Sequence, residues 1–130
     1  MKRILLIEDN HNLREEISNV LELEGFDVRT AENGRVGLAR IQEEVPDLVL
    51  CDLMMPDMDG YETLKAIRGN PATHTLPVIL LTARDDDECR TKGNELGASD
   101  YVTKPFKIPD LIRAVQGVAK KAARRERSIV

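Results

Sequence analysis

Cysteine is scarce: the 130-residue chain has two, Cys51 and Cys89, far apart and without Cys-x-x-Cys spacing. That excludes a disulfide scaffold and reads as small buried side chains in a reducing compartment. Long hydrophobic runs are missing too. The opening apolar stretch "ILLI" lasts four residues before Glu8 and Asp9, so no signal peptide is expected. Nothing approaches the ~20 apolar residues that a spanning helix requires. The expectation is a soluble, cytoplasmic protein with no membrane partner. Tryptophan is absent, yet 42% apolar and 32% charged residues make a globular rather than a disordered composition. The length suits one ordinary domain with a core of its own.

Basic residues are outnumbered by acids until the end of the chain. From Lys120 onward stand Lys120, Lys121, Arg124, Arg125 and Arg127 against Glu126; this segment carries +4 and residues 1–119 carry -8, within an overall -4. An acidic body argues against direct nucleic-acid binding by the domain. The reading is therefore a domain over 1–119 followed by a basic stretch, 120–130. That stretch is either a solvated helix end favoured by the helix dipole, or a linker or docking segment for an acidic partner.

Short apolar runs alternate with helix-period stretches. Strands are expected at 3–8, 26–31, 47–51, 77–82 and 99–103, three of them nearly continuous runs, as in a parallel sheet covered on both faces. Between them, Leu13, Ile17, Val20 and Leu21 recur at helical spacing, as do Leu38, Ile41 and Val45, then Tyr61 and Leu64, then Leu111, Val115 and Val118. Gly25 and Pro46 stand where the first two helices should stop. The fourth helix is the poorest, with Cys89 and Leu96 as its apolar contacts and Gly93 lowering its propensity. Five strand–helix units make a doubly wound (βα)5 α/β domain, whose crevice lies at the carboxyl ends of the strands.

At those ends stand Glu8 and Asp9, Asp52, Thr82 and Lys104. Three acids in one pocket repel one another, so one is protonated or a cation holds them. Hard oxygen donors suit Mg²⁺; His11 and His74 belong to a helix start and a loop and are expected at the surface. Lys104 adds a positive charge and Thr82 a hydroxyl, which together make a site for a phosphoryl group with a carboxylate as nucleophile. Plainer roles exist: Asp9 could cap the first helix, Thr82 and Tyr101 suit strands, and Lys104 could be solvated. Asp57 and Asp59 are expected to serve the turn and the cap of the third helix.

Three neighbouring chemistries fail. "DMDG" mimics a calcium loop, but with Gly60 at its sixth position Met55 and Ala66 fall where acids belong. An aspartate-nucleophile phosphatase wants a second acid two residues on, where Met54 stands. "EDNHNLRE" has no glycine for a dinucleotide fingerprint.

The stretches "ILLIEDN", "PDLVLCDLMMPDMDG", "PVILLTA" and "GASDYVTKPF", in that order, resemble the receiver domain of bacterial two-component response regulators across residues 2 to 120. The resemblance implies a flavodoxin-like sheet in the order 2-1-3-4-5. It implies Asp52 as phosphoacceptor, Asp9 as direct Mg²⁺ ligand, Glu8 acting mainly through a water, and the Met54 carbonyl completing the metal's protein shell. Lys104 would pair with phosphoryl oxygens, Thr82 would close on another, and Tyr101 would follow as the second switch residue. The Lys104–Pro105 bond would be cis. Met54 and Arg84 would flank the path of attacking water and help set the lifetime of the aspartyl phosphate. The acidic pair here is Glu-Asp rather than the commoner Asp-Asp. The implied partners are a histidine kinase or phosphotransfer protein, and a target or output domain at the face of the fourth helix, fifth strand and fifth helix. The implied state is a monomer or a phosphorylation-dependent dimer, and the implied role a switch rather than a turnover enzyme. The chain could also be the amino-terminal half of a larger regulator.

Overall fold

Strands form where the apolar runs stand. The computed structural model describes residues 2–83 and 86–128, with side chains through residue 122. Its strands are β1 (Arg3–Ile7), β2 (Asp27–Ala31), β3 (Leu48–Asp52), β4 (Val78–Thr82) and β5 (Asp100–Thr103). They alternate with helices α1 (His11–Leu23), α2 (Gly34–Glu43), α3 (Gly60–Gly69), α4 (Asp87–Glu95) and α5 (Ile108–Ser128). Every pairing is parallel and the order is β2-β1-β3-β4-β5. This is the doubly wound (βα)5 sheet expected from the order of the elements, with the flavodoxin-like strand order that the resemblance implies.

Period-two alternation in the strands separates two cores. Ile4 and Leu6 of β1 face α1 and α5, packing with Ile17, Leu21, Leu111 and Val115. Leu5 and Ile7 face the other way, toward Ile41, Leu64 and Ile67 of α2 and α3. All five residues of β3 and of β4 are buried, because helices cover both faces of the sheet centre.

Helix boundaries are set by capping side chains. Asn10, not Asp9, caps α1: its Oδ1 accepts the Leu13 N–H at 3.0 Å. Gly25, with φ 94°, stands just past the C-cap of α1. Asp59 caps α3 in a reciprocal box with Glu62, and Asp57 holds a positive φ in the preceding turn. Val45, expected on the second helix, is a correction: α2 ends at Glu43, and Val45 is exposed in the connection before Pro46. The Lys104–Pro105 bond is cis. Helix α5 crosses residue 119 without a break.

Candidate functional site

The ladder hydrogen bonds continue one residue past the strands and fix the side chains that follow. The Glu8 N–H donates to the Ala31 carbonyl at 3.0 Å, and the Lys104 N–H to the Thr82 carbonyl at 2.6 Å. Asp52 is itself the last residue of β3, paired with Leu81, so its backbone is held within the sheet. Gly60, the first residue of α3, makes the next turn possible: a Cβ there would lie 2.8 Å from the Asp52 carbonyl and from the Leu53 Cα. Helix α3 can start this close to β3 only without a side chain at that position.

Glu8, Asp9 and Asp52 converge, each offering a carboxylate oxygen within 4.8 Å of the others. Lys104 Nζ stands 3.1 Å from Asp52 Oδ1 and 3.2 Å from Glu8 Oε1. Glu8 and Asp52 are 1% and 4% exposed, whereas Asp9 faces solvent. Burial pushes the Glu8 carboxyl up to about 7, the charge of Asp52 adds to this, and Lys104 opposes it. Burial also raises Asp52, with Lys104 acting the other way. One ammonium therefore does not compensate two buried carboxylates, and the cluster favours a proton or a further cation.

The donor set fits a hard cation. All three side chains offer oxygen, and neither histidine nor thiolate joins them. Cys51 Sγ donates to the Asp52 carbonyl at 3.4 Å, and burial pushes its thiol pKa up, so it stays protonated. Such a set suits Mg²⁺ rather than zinc.

The other expected residues are placed as follows. Thr82 is fully buried at the end of β4. Tyr101 of β5 is half-buried, with the Arg90 guanidinium 5.0 Å above its ring. Its phenol is raised first by burial and then by Cys89, while Thr82 acts the other way. Met54 lies in the β3–α3 connection and is 62% exposed. Asp57 and Asp59 stay outside the acidic cluster, and His11 and His74 are at the surface. Arg84 lies outside the described residues.

Two supports escaped the sequence reading. Arg14 of α1 donates to the Glu8 carbonyl at 2.7 Å, holding the turn that carries Glu8 and Asp9. Tyr61, read only as an apolar position of the third helix, donates its hydroxyl to the Cys89 carbonyl at 3.1 Å and links α3 to α4. Helical spacing reveals which face such residues occupy. It carries no signal for a bond made by the far end of the side chain.

The family model for the response regulator receiver domain matches residues 4–116. The chain belongs to this family. It is 45% identical over 123 residues to the transcriptional regulatory protein CpxR homolog of Haemophilus influenzae, covering 95% of this chain and 52% of the relative. It is 38% identical to the phosphate regulon transcriptional regulatory protein PhoB of Rhizobium meliloti, covering 94% and 54%. This receiver chain thus spans about half the length of the curated relatives it matches. Among solved structures, chemotaxis protein CheY4 of Vibrio cholerae superposes with a TM-score of 0.87 at 32% identity, covering 91% of this chain and 98% of that one. A CheY-like receiver domain protein of Methanospirillum hungatei gives 0.90 at 28% identity, covering 96% and 98%. Among the described residues, no helix of the receiver is long and apolar enough to cross a membrane.

Proposed function

We propose that this receiver is a phosphorylation-driven switch whose phosphoacceptor is Asp52. The observation that carries the reading is the buried Asp52 carboxylate, 3.1 Å from Lys104 Nζ and within one cluster with Glu8 and Asp9. Glu8, Asp9, Asp52 and the Met54 carbonyl would hold Mg²⁺. When bound, the ion supplies the positive charge that lets three carboxylates and a phosphoryl group share one pocket.

The donor is a phosphohistidine on a sensor histidine kinase or phosphotransfer protein. An Asp52 oxygen attacks phosphorus, the P–N bond breaks, its electron pair stays with the donor imidazole, and an acyl phosphate remains on Asp52. Lys104 pairs with one phosphoryl oxygen, while the Thr82 hydroxyl donates to another. Thr82 movement opens room beside β4, and Tyr101 follows it. The α4–β5–α5 face then shifts between two pre-existing arrangements and controls a target protein or an output domain. Met54, with Arg84, flanks the water path and tunes the lifetime of the phosphoryl group. The protein acts as a cytoplasmic switch, monomeric or dimerising on phosphorylation, rather than as a turnover enzyme or a nucleic-acid binder.

The test is incubation with acetyl phosphate, read by intact mass. The wild type should gain the mass of one phosphoryl group only with Mg²⁺ present, and Asp52→Asn should gain none. An equal gain in Asp52→Asn would move the phosphoacceptor elsewhere.

A further inference from the structure

A broad concavity lies at the other end of the sheet from the carboxylates. Strand starts, the α3–β4 and α4–β5 connections and α5 border an open trough of about 910 Å³. Ile4, Leu48, Leu76, Val115 and Val118 give it an apolar floor. Its lining runs from Phe26, before the β2 edge strand, to Ser99, before the β5 edge strand. Five strands at about 4.8 Å spacing make that span roughly 19 Å, about three and a half turns of helix and beyond a single small anion.

The charge of the trough runs against that of the chain. Lys2, Arg68 and Lys121 line it, with His74, against Asp47 and Glu95, in a protein of net charge -4. Asp47 is already engaged, accepting the Arg3 N–H at 2.8 Å. Arg68 is not charge-paired. Its guanidinium donates to the Leu76 carbonyl at 2.6 Å and to the Gly97 carbonyl at 2.7 and 3.2 Å, and no carboxylate pairs with it among the described residues. Three of its five N–H groups are used, which leaves two without a protein acceptor among the described residues.

Helix α5 reaches the same surface through Lys121 and Ala122. The last buried side chain described on α5 is Val118, yet the helix runs to Ser128, about 15 Å further at 1.5 Å per residue. In sequence, the segment from Lys120 onward holds five basic residues against a single acid. Lys121 of α5 thus borders the trough together with Arg68, a guanidinium with no carboxylate partner among the described residues.

We propose that this trough is a docking site for an acidic amphipathic segment of a partner protein. Apolar side chains of that segment cover the floor, and its carboxylates meet Arg68, Lys2 and Lys121. Arg68 suits this role because its planar fork takes a carboxylate through two N–H groups. None of the trough residues belongs to the acidic cluster, so the site stands independently of the phosphoacceptor reading.

The test is to pan a random library of displayed helix-length peptides against the whole chain. Enriched peptides should combine Asp or Glu with Leu, Ile, Phe or Met, and bind more weakly as salt rises. Their affinity should fall about tenfold on the Lys2→Glu, Lys121→Glu double variant, whose urea midpoint verifies that it remains folded. Amide NMR shifts should move at Leu48, Leu76, Val115 and Val118. The proposal is overturned by an absence of enrichment, by binders without acids, by equal affinity for the double variant, or by shifts confined to the carboxylate end. A concentration-dependent dimer abolished by the double variant would also overturn it, assigning the trough to a second copy.

Discussion

Glu8 and Asp52 stand in a conflict that a single lysine does not resolve. Both carboxyls are buried, both are raised by burial, and Lys104 bridges them at 3.2 and 3.1 Å. Glu8 titrates near 7 in the folded receiver, against an ordinary value of 4.5. Between those values the folded state holds a proton that the unfolded chain has released, so stability falls as pH rises through this window. At about 1.4 kcal/mol per pH unit, the metal-free protein should lose up to about 3 kcal/mol between pH 4.5 and 7. Urea denaturation in a chelating buffer measures this, and Glu8→Gln should flatten most of the slope. Constant or rising stability for the wild type over that window would refute the burial argument. The identity of these residues was readable because strand ends, not motifs alone, point to them. Their protonation was not, since it depends on 1% against 4% exposure and on a lysine fifty-two residues away in sequence.

Helix α4 shows how far an element can be read from its pattern. Its sparse apolar spacing implies a weakly held helix, and in the structure Cys89 and Gly93 are its only buried residues. What holds it instead is polar: Asp86 caps the Cys89 N–H at 2.8 Å, and Tyr61 reaches the Cys89 carbonyl from α3. Gly93 was legible only as a propensity cost. A Cβ there would meet Leu80 Cδ1 at 3.4 Å, an ordinary contact, and its φ is not among the positive ones. Gly93→Ala should therefore stabilise the receiver by about 0.5–1 kcal/mol, through helix propensity and a less disordered unfolded chain. Hydrogen exchange should slow across α4 and stay unchanged in α3; a loss of stability would mean that α4 packs against β4 more tightly than 3.4 Å implies. Strand boundaries were each legible to within a residue, because apolar runs mark burial whereas the ladder hydrogen bonds decide where pairing stops.

At the scale of the molecule, the two ends of one sheet differ in chemistry: acids converge at one, and an apolar trough opens at the other. The carboxyl ends converge on acids because parallel strands with right-handed crossovers must all deliver their next residues to the same edge. That makes the site legible from order alone. The trough at the opposite edge is built from residues that look like ordinary turn positions in sequence, such as Thr75, Leu76 and Gly97, and only the packed fold brings them together. The acidic edge has a global consequence. A cation that binds the folded cluster and not the unfolded chain stabilises every element at once, by about 2.7 kcal/mol at a hundredfold excess over its dissociation constant. Because Glu8 is half-protonated near pH 7, Mg²⁺ binding there should also release about half a proton. Calorimetric titration in two buffers of different ionisation enthalpy reads that release directly. It should vanish by pH 9, where Glu8 is already ionised, and shrink in Glu8→Gln, which removes the carboxyl that holds the proton. Mg²⁺ binding with no proton release at pH 7 would place the ion away from Glu8, and an absence of binding would dissolve the three-carboxylate site itself.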